Sequence, residues 1–144
     1  MDADAPATIL HEVDVLWADL EATLTARDED DLRRPGAAGD WSGTEVVAHL
    51  GRWLAVAHDV VSDHLAGRVP TEAYDDYDAW NARWHAEDAT LSLAEARDRC
   101  THAYQALRRL VDELPPQRWD ATVREWVSGS SLHHVRAHLP LPRA

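Results

Sequence analysis

The chain has 144 residues, and its 26 acidic side chains outnumber its 14 basic ones, for a net charge of −12. So acidic a chain is unsuited to bind nucleic acid or an anionic membrane, because both partners need a basic surface. It contains a single cysteine, which excludes an internal disulfide and fits a reducing compartment.

The first predicted helix spans residues 6–27. Pro6 suits an opening helical turn, and apolar residues then recur three and four positions apart from Ile9 to Leu24. This spacing places them on one face of the helix, which indicates that the face is buried. Residues 35–39, rich in glycine and headed by proline, are expected to break the helical pattern.

A capping box marks the start of the second predicted helix, over residues 43–66. The hydroxyl of Ser42 can accept a hydrogen bond from a free backbone N–H in the first turn, while the Glu45 carboxylate reaches back. An apolar stripe follows. Gly67 is expected to end the helix, because glycine commonly follows the last helical residue.

Three further helices are predicted downstream. Residues 73–88 are aromatic and acidic, with their tryptophans on one face. A second capping box at Ser92 opens a helix that runs to about residue 113. The stretch 117–127 is weakly patterned, and a short helix over 130–139 ends the pattern before two prolines.

The predicted elements define an all-α fold, because no run of alternating β-branched residues indicates a strand. Four main helices and a shorter fifth are expected to form one antiparallel bundle over residues 1–144. No apolar run approaches the ~20 residues needed to span a bilayer. Residues 1–8 also lack the basic start and apolar run of a signal peptide. We therefore expect a soluble, cytoplasmic protein.

Histidines are numerous, and three of the nine stand out. His49 lies at the margin of the second helix's apolar stripe, where an imidazole costs desolvation unless its nitrogens find partners. His134 and His138 are four positions apart, so both rings lie on one side of one helix, at the spacing that can chelate a metal ion. Taken alone, the pair favours a solvated or capping role over a metal site. The other six are interpreted as surface or ordinary packed side chains: His11, His58, His64, His85, His102 and His133.

Other candidate motifs favour structural interpretations. Cys100 lies on the buried stripe of its helix and is expected to be an unreactive thiol. The acidic residues around Asp76 lack the spacing of a calcium loop and are interpreted as a solvated helix start. The tryptophans are mainly expected in the core, with Trp80 or Trp126 as candidates to line a pocket. No glycine-rich phosphate loop is present in the sequence.

Residues 41–53, WSGTEVVAHLGRW, resemble the signature segment of the DinB-like superfamily. This group includes the mycothiol-dependent maleylpyruvate isomerase N-terminal domains, and residues 77–81 look more like its ClbS/DfsB-type branch. The resemblance implies a four-helix bundle with a short additional helix. It also implies a divalent metal held by His49, His134 and His138.

Three neutral imidazoles from two helices would leave coordination positions open, as in a reactive rather than a structural metal site. The resemblance therefore implies metal-dependent transfer of a low-molecular-weight thiol, such as mycothiol, to a small electrophile in detoxification or stress response. Zinc is the first expected metal, with nickel and iron as alternatives, and the negative net charge favours drawing in a cation. A metal-dependent hydrolase, or a non-catalytic bundle that sequesters a reactive small molecule, remains the alternative. The sequence also allows the protein to form a homodimer.

Overall fold

The computed structural model describes residues 2, 5–70, 72–139 and 141, and within them the protein is a mostly helical bundle with one small hairpin. This confirms the predicted all-α bundle. The helices are α1 (Pro6–Ala26), α2 (Glu29–Arg33), α3 (Gly43–Leu65), α4 (Tyr77–Glu87), α5 (Leu93–Asp112), α6 (Ala121–Val127) and α7 (His134–His138). A 3-10 turn (Pro116–Arg118) precedes α6, and a π-helical turn (Ser128–His133) joins α6 to α7.

A short hairpin occupies the stretch where only a break was predicted. Strand β1 (Pro35–Ala38) pairs antiparallel with β2 (Trp41–Ser42). Gly39 lies in the connecting turn with a φ of +61°, a conformation that glycine adopts without steric cost. The strands are too short for an alternating pattern to reveal them. Since β2 runs directly into α3, the hairpin fixes Trp41 beside the first turn of that helix.

Helices α3 and α5 begin at the two predicted capping boxes. The Glu45 backbone N–H donates to the Ser42 hydroxyl at 3.1 Å, and the Ser42 N–H donates to the Glu45 carboxylate at 3.1 Å. The same reciprocal pair joins Ser92 and Glu95. Each box satisfies two backbone donors that a helix start otherwise leaves free. These two helices form the most extensive helix–helix interface in the described part of the protein.

Helix α4 begins later than predicted. The sequence placed its start near residue 73, whereas the helix begins at Tyr77. The reason is a cap: the Asp76 carboxylate accepts a hydrogen bond from the backbone N–H of Ala79 at 3.1 Å. The acidic residues at this position therefore stabilise a helix start, as interpreted.

The C-terminal third contains more helix than predicted. The stretch 117–127 holds α6, whose start is capped by the Asp120 carboxylate accepting from the Val123 N–H at 3.1 Å. A short α-helix was predicted over residues 130–139. Its first residues belong to the π-helical turn (Ser128–His133), and only α7 (His134–His138) is α-helical. The prolines expected to close it, Pro140 and Pro142, lie outside the described residues.

Buried side chains form a main core and a smaller aromatic cluster. The main core gathers residues from α1, α3, α5, α6 and α7, including Leu20, Leu50, Leu107 and Val135. The aromatic cluster consists of Trp53, Val56 and Trp84, with further rings packed against it. None of the helices in the described ranges is long and apolar enough to cross a membrane.

Helices α3 and α5 pack closely at Gly51, and we expect Gly51→Val to destabilise the bundle. A Cβ atom at this position would lie 3.1 Å from the Cα of Cys100, a backbone atom that cannot rotate away. Overpacking of this kind costs about 1–3 kcal/mol. Chemical denaturation measures the loss. Gly129→Ala is the matched control, because a Cβ there meets no atom within 4 Å. Equal stability of both variants would contradict close packing at Gly51.

Candidate metal centre

Three histidines from two distant parts of the chain converge on one point. His49 lies on α3, and His134 and His138 lie one turn apart on α7. One ring nitrogen from each lies within 4.8 Å of the other two. The Nε2 atoms of His49 and His134 are 2.8 Å apart. The structure therefore brings together the three residues singled out in the sequence as candidate ligands.

The three rings are partly buried, and their surroundings keep them uncharged. Burial, together with the nearby His134 and His138, lowers the pKa of His49 to about 3. Burial also lowers the pKa of His134 to about 4, with His138 contributing. The pKa of His138 is lowered by burial as well. Near neutral pH each ring is thus a neutral imidazole with one free lone pair, the form that binds a metal.

The cluster suits a transition-metal ion of intermediate softness, such as zinc. A tetrahedral zinc ion with bonds of ~2.0–2.1 Å holds its ligand nitrogens roughly 3.3 Å apart. The triad is of that size, with 2.8 Å between the Nε2 atoms of His49 and His134 and every pair of ligand nitrogens within 4.8 Å. Three nitrogen donors without a carboxylate favour zinc, nickel or iron over magnesium or calcium, which prefer oxygen. Three protein ligands also leave at least one coordination position for another molecule.

Two further side chains, Glu45 and His85, lie near the triad and contact each other. The Nε2–H of His85, on α4, is hydrogen bonded to the Glu45 carboxylate on α3. The His85 ring stacks on Trp41, with centroids 4.5 Å apart and planes 6° apart. Trp41 in turn meets the ring of His49 edge-on at 5.2 Å. Through Trp41, the Glu45–His85 pair is packed against the candidate metal centre.

His85 is a neighbour of the triad that the sequence interpretation did not single out. It was taken as an ordinary packed or surface side chain because no partner lies near it in the sequence. Its partner Glu45 is 40 positions away, on another helix. Glu45 carried one signal, its place in the capping box one helical turn before His49. That role persists, because one carboxylate oxygen caps α3 while the other contacts His85.

Two cavities lie on either side of His49. The first, of about 310 Å³, has a mixed lining of charged, polar and apolar side chains, including His49, Glu45, His85, Asn81, Asp88 and Trp41. The second, of about 460 Å³, is more aromatic and is lined by His49, His134, Trp53, Tyr77, Asn81 and Trp126 among others. His49 and Asn81 border both. A molecule in either cavity would reach the edge of the triad.

Several other candidates lie away from the site. His64 pairs with Asp120 at 2.7 Å on the surface, and His58 contacts its neighbour Asp59. Burial raises the pKa of the Cys100 thiol to about 12, which fits an unreactive structural cysteine. Of the two tryptophans considered for a pocket, Trp126 lines the second cavity. Trp80 packs in the aromatic cluster.

Comparison with known families identifies one match. The model of the mycothiol maleylpyruvate isomerase N-terminal domain matches residues 13–139. The matched region includes the three converging histidines and the Glu45–His85 pair. No curated protein matches the chain.

Proposed function

Because the chain belongs to the mycothiol maleylpyruvate isomerase N-terminal domain family, within the DinB/YfiT-like superfamily, we propose that it is a metal-dependent thiol transferase. It would transfer a low-molecular-weight thiol, mycothiol or a similar molecule, to a small electrophile in detoxification or stress response. The observation that carries the proposal is the convergence of three neutral imidazoles beside two ligand-sized cavities.

His49, His134 and His138 would hold a divalent cation, zinc first, with nickel and iron as alternatives. Bound there, the cation would supply the Lewis acidity that lowers the pKa of a thiol and leaves it as a thiolate at neutral pH. The protein's own part is to present three uncharged donors and leave a position open. Its net charge of −12 also favours uptake of a cation.

We assign the thiol proton to His85, which lines the first cavity together with His49. Its Nε2–H is engaged by the Glu45 carboxylate, so the neutral ring carries its lone pair on Nδ1. A base whose tautomer and orientation are fixed by a carboxylate is the usual arrangement in nucleophile activation. The proton would pass from sulfur to His85 Nδ1, and the thiolate would form an S–C bond to the electrophile. As that bond forms, the π-electron pair of the electrophile would move to the neighbouring atom, which would take the proton back from His85. We place the thiol in the first cavity, which both His85 and His49 line.

The proposal is tested by metal analysis followed by a thiol-conjugation screen. The protein, loaded with zinc, nickel or iron(II), is incubated with mycothiol and a panel of electrophiles, and conjugates are detected by mass spectrometry. Metal-dependent conjugate formation is the expected result. Bound metal without any thiol-stimulated turnover would contradict the transferase proposal. Turnover without thiol would favour the hydrolase, and stoichiometric binding without turnover would favour sequestration.

We expect Glu45→Gln to slow transfer roughly tenfold or more while leaving the metal content unchanged. Glutamine keeps the capping box but cannot stabilise a protonated His85. The loss should fall on kcat, with its pH profile shifted, rather than on KM. The matched control is Asp120→Asn, which removes the carboxylate from the surface pair with His64. An equal effect of both variants would show that Glu45 acts only through stability.

A further inference from the structure

Asn81, on α4, lines both cavities and carries a side-chain amide whose donor group is free for a ligand. We propose that this NH2 group donates a hydrogen bond to the oxygen of a carbonyl group on the electrophile, which is then a carbonyl compound such as an aldehyde. The role of the ligand as electrophile rests on the proposed function. The donor itself is a feature of the folded chain and can be tested without any reaction.

A hydrogen bond to Trp53 sets the orientation of the Asn81 amide. The indole Nε1–H of Trp53 donates to Oδ1 of Asn81 at 2.8 Å, and Trp53 is only 6% exposed. Because an indole nitrogen can donate but not accept, the amide must present its oxygen to Trp53. Within the described part of the chain, no acceptor is hydrogen bonded to the NH2 group of Asn81. The amide is therefore anchored through its oxygen and keeps its donors for a ligand.

The pairing of α3 with α4 places this donor close to the candidate metal centre. Glu45 and Trp53 lie one helical turn before and one turn after His49 on α3. Their partners on α4 are His85 and Asn81, which are themselves one turn apart. The two helices thus run antiparallel here, and the two α4 side chains reach α3 one turn to either side of His49.

The two reactants would have to meet where the cavities join, which is where Asn81 lies. Asn81 and His49 line both cavities, so a thiol in the first and an electrophile in the second approach each other beside these residues. Because the proposed function gives the open coordination position to the thiol, the oxygen of the electrophile needs its donor from a side chain.

A carbonyl group matches a neutral donor at this place. As the S–C bond forms, the π pair of the C=O bond moves to the oxygen, which carries negative charge until it takes the proton from His85. A positioned N–H group stabilises that developing charge. The product is a hemithioacetal, which contains every atom of the thiol and of the carbonyl compound, so the addition needs no leaving group, oxidant or reductant.

The test follows the carbonyl group of cyclohexanone, a probe with the acceptor oxygen, in the absence of thiol. Infrared difference spectroscopy with isotope-labelled probe gives the C=O stretch of the bound molecule, and NMR titration gives its affinity, on the full chain with and without zinc. A hydrogen bond to the oxygen lowers the stretching frequency. In Asn81→Asp the carboxylate can still accept from Trp53, but the NH2 group is gone. We expect a higher C=O frequency in this variant and an affinity at least about threefold weaker, the effect of one hydrogen bond.

Absence of cyclohexanone binding, or the same C=O frequency in Asn81→Asp and the unaltered protein, would overturn the proposal. Gln117→Glu is the matched control, because it makes the same change of amide to carboxylate at an exposed residue outside both described cavity linings. Both readouts should be unchanged in it, and an equal effect of the two variants would also overturn the proposal.

A second variant separates hydrogen bonding to the ligand from support of the cavity wall. Trp53→Phe removes the indole donor but keeps the Asn81 amide, so the lowered C=O frequency should persist. If Asn81 served only to hold Trp53, then Trp53→Phe would raise the frequency and Asn81→Asp would not, which would overturn the proposal. A lowered frequency in a protein that transfers no thiol in the conjugation screen would contradict only the proposed function.

Discussion

Replacement of His134 by alanine is expected to reduce bound zinc from about one ion per chain to near zero after dialysis. His134 contributes one of only three nitrogens in the cluster, and its Nε2 lies 2.8 Å from that of His49. With two donors left, a four-coordinate ion would depend on water for half of its ligands, so affinity should fall at least about 100-fold. Elemental analysis of dialysed protein and competition with a coloured chelator measure both quantities.

The adjacent residue supplies the matched control. His133 is exposed and does not belong to the converging cluster, so His133→Ala should bind zinc as the unaltered protein does. His49→Ala should behave like His134→Ala, although it alters a different helix. Equal zinc binding by His133→Ala and His134→Ala, at any level, would contradict the assignment of the triad.

The parts of this fold that are set by local contacts could be predicted from the sequence. Both capping boxes act within four residues, so the starts of α3 and α5 were placed to within one residue. The four-residue spacing of His134 and His138 is equally local, because one helical turn sets their relation. The interactions that determine these features all lie within a few consecutive residues.

What the sequence did not reveal depends on contacts between distant segments. The hairpin of β1 and β2 is too short to show a period, and the seven-residue helix α6 spans barely two turns. His85 gained its significance from Glu45 on another helix, a contact that no spacing rule predicts. The convergence of His49 with α7 came from family resemblance, since 85 positions separate His49 from His134.

Acid is expected to destabilise the metal-free protein well above the range in which its carboxylates titrate. The pKa values of His49 and His134 are about 3 and about 4 in the folded protein, against about 6.5 in an unfolded chain. As the pH falls below 6.5, the unfolded chain takes up protons at these positions and the folded protein does not. The free energy of unfolding should therefore fall by roughly 2–3 kcal/mol per pH unit between about pH 6 and pH 5.

This window isolates the histidines, because carboxylates with pKa values lowered from 3.8, such as those of Asp14 and Asp88, change the free energy of unfolding mainly below about pH 5. Urea denaturation of metal-free protein at several pH values measures the slope. In His49→Gln, whose glutamine cannot take up a proton, the slope of the free energy of unfolding against pH should fall by about half. His64→Gln is the control: it removes a surface histidine paired with Asp120, and most of the slope should remain. A flat profile in the unaltered protein, or an unchanged slope in His49→Gln, would show that the triad is not held uncharged by its surroundings.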